Sequence, residues 1–293
     1  MVARLIVILL CSASIASAVS LKDLVARISA GQTRVLWTPA SLGGNVLWFD
    51  STYGVSISDT KVASWTDRIT GIVASNTASA QWPSNSVSGI NGQNTLRFYA
   101  ASTNRLLFKT PANLTGIDNP RSFVYVTKGY SAAATPYAFT LSTRINYGGV
   151  NNESVGYLVV TRATDGTQYA HTGGGVYRSA VATQTTNEIA IIAITKTNGH
   201  AASLCAIYKN GTTASASTNT ALNGTSESAN GYLSIGQQGT PGTGLANFEA
   251  GDIIIAPRVL TAEEIQQCEG YMAWKWGIQS SLPTNHPYYG AAP

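Results

Sequence analysis

Charged residues are scarce in this sequence: they make up 11% of 293 residues, against about 25% in an average soluble domain. This composition argues against coiled coils, long helical bundles and charge-rich disordered chains. The net charge is +4, but residues 1–34 hold four basic residues and one acidic residue, which leaves 14 basic and 13 acidic residues in the remainder. A body so nearly neutral lacks the basic surface that nucleic acids require, so we expect no nucleic-acid partner.

Cysteine is also scarce, and the chain has only Cys11, Cys205 and Cys268. A chain of this length can bury a sizeable core without disulfides or structural metals. Cys205 lies in a predicted strand and Cys268 on the inner face of a predicted helix. Two interpretations stay open: a Cys205–Cys268 disulfide in an oxidising compartment, or two buried thiols that pack as small hydrophobes.

The first 33 residues are predicted to form a separate hydrophobic segment, followed by one domain over residues 34–293. Arg4, the apolar run from Leu5 to Cys11 and the Ala16-Ser17-Ala18 site have the order of a signal peptide cleaved after Ala18. The alternative is an uncleaved amphipathic anchoring arm, since apolar residues continue at helical spacing at Leu21, Leu24, Val25 and Ile28. The apolar run is shorter than the ~20 residues of a membrane-spanning helix, so we expect no transmembrane span.

Turn signals recur along the rest of the chain. Six Asn-Gly or Asp-Gly pairs, which accept the backbone angles of tight hairpins, begin at Asn91, Asp165, Asn198, Asn210, Asn223 and Asn230. Between them lie runs rich in β-branched and aromatic residues: 95–99, 122–127, 137–142, 156–161, 188–197, 203–209, 232–235 and 252–256. Many short strands with few helical segments predict an all-β, antiparallel two-sheet jelly-roll sandwich.

One C-terminal helix is predicted. Thr261 and Glu264 fit a reciprocal capping box, and Gly277 can close the helix in a left-handed conformation. Its apolar face comprises Ile265, Cys268 and Met272. The proline-containing tail from Leu282 to Tyr288 is expected to wrap the surface as an extended strap.

Several motifs resemble those of laminin-G/concanavalin A-like jelly-roll modules: Leu36-Trp-Thr-Pro39, Leu47-Trp-Phe-Asp50, Val62-Ala-Ser-Trp-Thr-Asp67, Ile90-Asn-Gly92, Leu96-Arg-Phe98 and Ile254 to Ile265. The ending Glu269 to Gly277, followed by Leu282 to Tyr288, is similar to the version of this module in bacteriophage virion proteins and some secreted proteins. The resemblance implies a lectin-like sandwich with a core that includes Trp48, Trp65, Trp274 and Trp276. The sequence departs from it at Phe98-Tyr-Ala100, where such modules more often have Phe-Asp-Gly, and this removes a carboxylate that calcium could use.

The same fold family includes β-glucanases, which resemble one another in a Glu-x-Asp-x-x-Glu run on one strand. No such run occurs here, and Glu249 and Asp252, three residues apart, are expected on opposite faces of a strand. The histidines lack metal-site spacing, and no nucleophile elbow or phosphate loop is present. We therefore expect no catalytic residues, no enzyme activity, no metal site and no cofactor. Asp50 and Asp67 could bind calcium, but each is more simply expected to accept turn hydrogen bonds or pair with an arginine such as Arg68.

Sugar binding requires aromatic faces together with amide and hydroxyl groups. Two predicted loops supply this mixture, and the candidate ligand-binding residues are Tyr147, Asn151, Asn152, Tyr169, His171, Tyr177 and Arg178. Rim or core packing of these tyrosines is the alternative.

The leading hypothesis is a lectin-like protein on the virion surface of a bacteriophage. Its expected partners are host-surface glycans and neighbouring virion subunits, including copies of itself in a homo-oligomer. The alternative hypotheses are a secreted protein that binds or degrades polysaccharide, and a purely structural sandwich that joins neighbouring subunits.

Overall fold

The computed structural model describes residues 36–99, 102–109, 111, 114, 119–129, 137–142, 158–162, 168–172, 175–179, 184–197, 205–214, 232–236 and 247–293. The chain divides into two compact units, Met1–Trp37 and Thr38–Pro293. Within the described residues, no helix has the length and apolar character needed to cross a bilayer.

The described part of the second unit consists mostly of strands. They are β1 (Leu47–Asp50), β2 (Val55–Ser58), β3 (Lys61–Thr66), β4 (Val73–Ser75), β5 (Ser84–Ile90), β6 (Gln93–Phe98), β7 (Arg105–Lys109), β8 (Arg121–Gly129) and β9 (Tyr137–Ser142). The remaining strands are β10 (Leu158–Arg162), β11 (Gln168–Thr172), β12 (Gly175–Ser179), β13 (Ile189–Lys196), β14 (Cys205–Lys209), β15 (Thr212–Ala214), β16 (Tyr232–Gly236) and β17 (Phe248–Ala256). One α-helix, α1 (Ala262–Lys275), follows β17, and short 3-10 helices lie at Pro39–Leu42, Ser79–Gln81 and Gln279–Ser281.

The strands form two antiparallel groups. In the first group, the strand order is β15, β14, β13, β8 and β17. The other edge of β17 pairs with β6 near the start of β17 and with β1 near the end of β17. β6 also pairs with β5. In the second, the order is β2, β3, β4, β7, β16, β9, β10, β11 and β12. Among the residues that the structure describes, a single pair, Lys61 with Ser84, links the groups. The antiparallel β fold with one C-terminal helix is therefore confirmed, while the jelly-roll strand order stays a prediction.

A hydrophobic core lies between the two groups. Its members alternate along the strands, as expected where one side of each strand faces the interior. They include Leu47 and Phe49 of β1, Trp65 of β3, Phe108 of β7, Tyr125 of β8, Ile192 of β13, Ile235 of β16 and Ile253 of β17. Phe49 packs on two other aromatic residues of the core, and its ring centroid lies 5.4 Å from that of Trp65 and 5.2 Å from that of Phe108.

Helix α1 covers the opposite face of the first group. Thr261 accepts a hydrogen bond from the Glu264 amide while the Glu264 carboxylate accepts one from the Thr261 amide, so the predicted capping box is confirmed. Gly277 has a φ of 65°, the left-handed conformation predicted for the residue that ends the helix. Cys268 and Met272 are fully buried. The layers are thus α1, the first strand group and the second strand group.

Several finer expectations are wrong. Tyr169, His171, Tyr177 and Arg178 lie on strands β11 and β12 rather than in loops. In β11 the rings of Tyr169 and His171 alternate with Gln168, Ala170 and Thr172, and strand pairing prevails over the glycines that follow.

The C-terminal tail from Leu282 to Tyr288 follows the 3-10 helix Gln279–Ser281 and consists of bends and turns, so it is not an extended strap. Trp48, Trp65 and Trp276 are buried as predicted. Trp274, which was also predicted to lie in the core, is only half-buried, and its indole N–H donates to the carbonyl of Tyr288 in this tail over 2.9 Å.

Candidate functional site

A buried ionic cluster lies at the end of β1, where the first strand group meets α1. Asp50 and Asp252 are direct neighbours across β1 and β17. The Lys275 ammonium lies 2.6 Å from Asp50 Oδ1 and 2.9 Å from Asp252 Oδ1, and all three side chains are at most 2% exposed. The indole N–H groups of Trp48 and Trp276 donate to the two oxygens of Asp252 over 2.9 and 2.6 Å. Both carboxylates are therefore charge-paired and hydrogen-bonded, as buried charges require.

The two carboxylates have pKa values shifted in opposite directions. Burial alone would raise the pKa of Asp50, but the charge and hydrogen bond of Lys275 and two hydrogen bonds from Thr52 outweigh it, so that the pKa lies below its usual value. Asp252 is more deeply buried and lies beside the negative charge of Asp50, and its pKa is raised although Lys275 acts against this. The pair is closed to solvent, which makes its role structural.

Arg68 connects this cluster to the surface. Its Nη1 lies 2.5 Å from Asp50 Oδ2, and its guanidinium carbon lies 4.4 Å from the ring centroid of Trp48 and 4.5 Å from that of Tyr53. The guanidinium therefore covers one face of the Tyr53 ring, a favourable cation–π arrangement. Tyr53 remains 48% exposed. The ring of Tyr53 is thus held at the surface by Arg68, which is itself held by its ion pair with the buried Asp50.

Asp67 closes the neighbouring turn. It accepts hydrogen bonds from the backbone amide of Trp48, and from the amide and hydroxyl of Thr70 over 2.5 and 2.6 Å. Asp50 likewise accepts from Thr52 and pairs with Arg68. The predicted turn and arginine contacts of Asp50 and Asp67 are confirmed. In the part of the chain that the structure describes, no three His, Cys, Asp or Glu side chains form a group suited to a metal ion.

A cleft of about 450 Å³ lies beside Tyr53, within the usual size range of ligand sites, about 300–1,000 Å³. Three segments line it: the turn after β1 with the start of β2, residue 85 of β5, and the β5–β6 turn with the start of β6. The lining residues are Ser51, Thr52, Tyr53, Gly54, Val55, Ile57, Asn85, Gly92, Gln93 and Asn94.

Hydrogen bonds hold the walls of the cleft together. Ser51 donates its hydroxyl to the carbonyl of Asn94 over 2.9 Å, and Gln93 donates its amide to the carbonyl of Lys275. Gly54 has a φ of 66°, and a Cβ there would lie 2.9 Å from the carbonyl oxygen of Thr66. Glycine is therefore required where the turn after β1 crosses β3.

The cleft retains polar groups that could bind a ligand. Among the described residues, the Asn85 side-chain amide makes no hydrogen bond, and Asn94 uses only its Oδ1, at 3.4 Å from the Ser88 amide. Gln93 commits its NH₂ group but leaves its side-chain oxygen available. Together these groups present donors and acceptors beside an aromatic ring and the half-exposed Ile57. Such a surface can bind hydroxyl groups and the apolar face of a sugar ring.

The sequence-predicted ligand residues that the structure describes, Tyr169, His171, Tyr177 and Arg178, are not among the residues that line this cleft. Tyr147, Asn151 and Asn152 lie outside the described residues. The pairing of β11 with β12 places Tyr169 opposite Arg178 and His171 opposite Val176, whereas Tyr177 is opposite Ala170. The criterion of an aromatic residue with neutral polar neighbours would also have selected Tyr53 and the run from Asn91 to Asn94. The missing signal was the contact between these segments, which lie about forty residues apart.

The expected separation of Glu249 and Asp252 on opposite strand faces is wrong. Phe248, Ala250 and Ile253 all belong to the core between the strand groups, and the pairing of β17 with β8 shifts register between Ala250 and Ile253. The bulge adds one residue, so Glu249 and Asp252 both lie on the side away from this core. Asp252 is neutralised by Lys275, and Glu249 accepts hydrogen bonds from Ser86 and Thr95.

Cys205 and Cys268 are free thiols, so the interpretation as two unbridged cysteines is confirmed. Burial raises the pKa of Cys205 to about 11, although Lys196 opposes the shift. Burial, together with the charges of Glu269 and Glu264, raises the pKa of Cys268 well above its usual value. Neither thiol has the thiolate character of a nucleophile.

Comparison with solved structures shows the fold. The chain is similar to Trypanosoma rangeli sialidase in complex with the inhibitor DANA, at 12% identity and a TM-score of 0.50, over 84% of this chain and 37% of that chain. It is also similar to the binding domain of Paraclostridial Mosquitocidal Protein 1, at 10% identity and a TM-score of 0.50, over 80% of this chain and 53% of that chain. The chain thus spans between a third and about half of these structures. No protein-family model and no curated protein matches it.

The expectation that the chain is not an enzyme is wrong as a conclusion from the fold, because the fold is shared with part of a sialidase chain. The missing Glu-x-Asp-x-x-Glu run excludes only the carboxylate arrangement of the β-glucanases. It does not extend to glycosidases with other arrangements of active-site residues. The bacteriophage version of the module stays a prediction.

Proposed function

We propose that this protein binds carbohydrate, in the manner of a lectin, through the cleft beside Tyr53. The observation that carries the proposal is the half-exposed Tyr53 ring next to the side-chain amides of Asn85, Gln93 and Asn94. Sugars present C–H faces that pack on aromatic rings and hydroxyls that both donate and accept hydrogen bonds. The cleft supplies both kinds of contact on a wall already fixed by Arg68.

The similar structures support this proposal. One is a sialidase, an enzyme that acts on a sugar, and the other is a binding domain. A β sandwich used for recognition is consistent with both. Function depends on the site rather than the fold, so the cleft carries the argument and the fold makes it plausible.

A binding measurement tests the proposal. Wild-type protein is applied to a glycan array, and each glycan bound is then titrated by calorimetry against wild type, Tyr53→Ala and Tyr289→Ala. Tyr289 is a matched control, since it is 38% exposed and outside the cleft. Burying a ring is worth about 1.5–3 kcal/mol, so Tyr53→Ala should weaken binding about tenfold or more.

The control Tyr289→Ala should bind as wild type does. If correctly folded wild-type protein bound no glycan, the proposal would be rejected. Equal affinity of Tyr53→Ala and wild type would place carbohydrate binding elsewhere on the molecule.

We infer a virion surface as the location, with other virion subunits as further partners. This inference is supported by the C-terminal motif from Glu269 to Tyr288. Mass spectrometry of the natural protein tests it. An intact Met1 in purified particles supports the inference, whereas a secreted chain that begins at Val19 supports the alternative of an exported protein.

A further inference from the structure

The cleft beside Tyr53 contains no formal charge among its described lining residues. Its polar groups are the hydroxyls of Ser51 and Thr52 and the amides of Asn85, Gln93 and Asn94. The other lining residues are Tyr53, two glycines and two aliphatic residues. This lining restricts the kind of sugar that the proposed carbohydrate site can bind.

Arg68 is the cation that lies against the wall of the cleft, and its charge is already committed. Its Nη1 lies 2.5 Å from Asp50 Oδ2, and its guanidinium is stacked between Trp48 and Tyr53. The side chain is only 14% exposed. Asp50 is in turn shared with Lys275 and Asp252. Two cations and two carboxylates balance, so the cluster below the cleft offers no net positive charge to a ligand.

Favourable binding of an acidic sugar would require a cation that is free to pair with the carboxylate of the sugar. A carboxylate leaving water is bound favourably where an arginine or lysine forms charge-assisted hydrogen bonds with it. In the absence of such a partner, transfer of the carboxylate into the cleft costs free energy. A neutral sugar carries no such cost, and its hydroxyls match amides that can both donate and accept.

We propose that the cleft selects an uncharged sugar unit over an acidic one. The sugar ring stacks on the face of Tyr53 that Arg68 leaves open, and its hydroxyls bind the side chains of Asn85, Gln93 and Asn94. This proposal rests on the proposed carbohydrate-binding function and specifies its ligand class. This selectivity would distinguish the cleft from a site that recognises sialic acid, the acidic sugar from which sialidases take their name.

The test compares matched pairs of oligosaccharides that differ only in a terminal sialic acid. Each pair is titrated by calorimetry against wild type and Tyr53→Ala at low and high salt. The neutral member should bind, its affinity should not change with salt, and Tyr53→Ala should weaken it about tenfold or more. The sialylated member should bind more weakly than the neutral one, and equal affinities would overturn the proposed selectivity.

A charge variant provides an independent measurement. Asn85→Asp keeps the size of the side chain but replaces its NH₂ donor with a negative charge, and should weaken binding of the neutral sugar about tenfold. Asn45→Asp is the matched control, because Asn45 is exposed and lies outside the cleft. It adds the same charge and should leave binding unchanged.

The outcomes separate the two proposals. If the protein binds sialylated glycans more tightly, with an affinity that falls with salt and is lost in Tyr53→Ala, the neutral-ligand proposal is overturned while carbohydrate binding stands. If no glycan binds, both are overturned.

Discussion

At the scale of single residues, Lys275 links parts of the chain that are far apart in sequence. Its ammonium pairs with Asp50 at the end of β1 and with Asp252 in the bulge of β17. It also lies 5.3 to 5.9 Å from the ring centroids of Trp276, Tyr271 and Trp48. An ammonium surrounded by two carboxylates and three aromatic rings is well compensated for its loss of water.

Removing this ammonium should be costly. Lys275→Met keeps most of the side-chain volume but leaves two buried carboxylates without their shared cation. Breaking a buried ion pair by removing one partner typically costs about 3–5 kcal/mol. We expect a decrease of that size in the free energy of unfolding, measured by urea denaturation followed through tryptophan fluorescence.

Lys209→Met is the matched control for this prediction. Lys209 lies 2.6 Å from Glu188, but the two side chains are 19% and 26% exposed. An ion pair near the surface contributes about 0–1 kcal/mol. If the two variants were equally stable, Lys275 would not neutralise the buried carboxylates.

The sequence revealed only part of this cluster. The turn contacts of Asp50 and Asp67 could be predicted, because such contacts depend on residues close along the chain. Lys275 could not be assigned, since on a helix surface a lysine usually faces solvent. Its partners lie 225 and 23 positions away, and only the packing of α1 on the first strand group brings them together.

At the scale of elements, α1 and the C-terminal tail meet at a residue without a side chain. A Cβ added to Gly270 would lie 2.5 Å from Cβ of Tyr288 and 2.7 Å from Cγ of the same ring. Glycine within a helix costs about 1 kcal/mol relative to alanine. The close approach of Tyr288 accounts for its presence at this position.

Gly270→Ala therefore tests the packing of the tail. In an open helix the substitution would stabilise the protein by about 1 kcal/mol. Here the tail must move, and overpacking costs about 1–3 kcal/mol, so we expect net destabilisation. The measurements are thermal unfolding and limited proteolysis, which should cleave the tail of the variant more rapidly.

Gly290→Ala is the control, because an added Cβ there meets nothing within 4 Å. It should leave both measurements unchanged. An increase in stability of Gly270→Ala would show that Tyr288 does not pack on the helix.

Elements with local signals could be predicted from the sequence. Thr261 and Glu264 marked the start of α1, and the Asn91-Gly92 pair has φ angles of 45° and 82°, as a tight hairpin requires. The bulge in β17 could not be predicted from the sequence, because the extra residue between Ala250 and Ile253 is defined only by the pairing of β17 with β8. This bulge explains why a strict two-residue alternation misplaced Asp252.

At the scale of the whole molecule, the cleft depends on the order of the layers. Its walls come from the turn after β1 and from β5 and β6. β1 and β6 pair with opposite ends of the same edge of β17, and β5 pairs with β6. The underside is fixed by α1 through the contact of Gln93 with Lys275. None of the lining residues was predicted from the sequence as a ligand contact, because the cleft exists only through this long-range arrangement.

Cys268 can report whether these layers unfold together. The thiol is fully buried at the contact of α1 with the first strand group, and its pKa is raised. In a Cys11→Ser/Cys205→Ser variant, it should react with a disulfide reagent only after unfolding, because native protein near pH 8 presents no accessible thiolate. We expect the urea dependence of labelling to match that of tryptophan fluorescence, since Trp276 of α1 and Trp65 of the core report the same transition. Labelling at lower urea would show that α1 detaches separately, and the contacts of Lys275 and Trp276 with Asp252 would then not couple the helix to the sandwich.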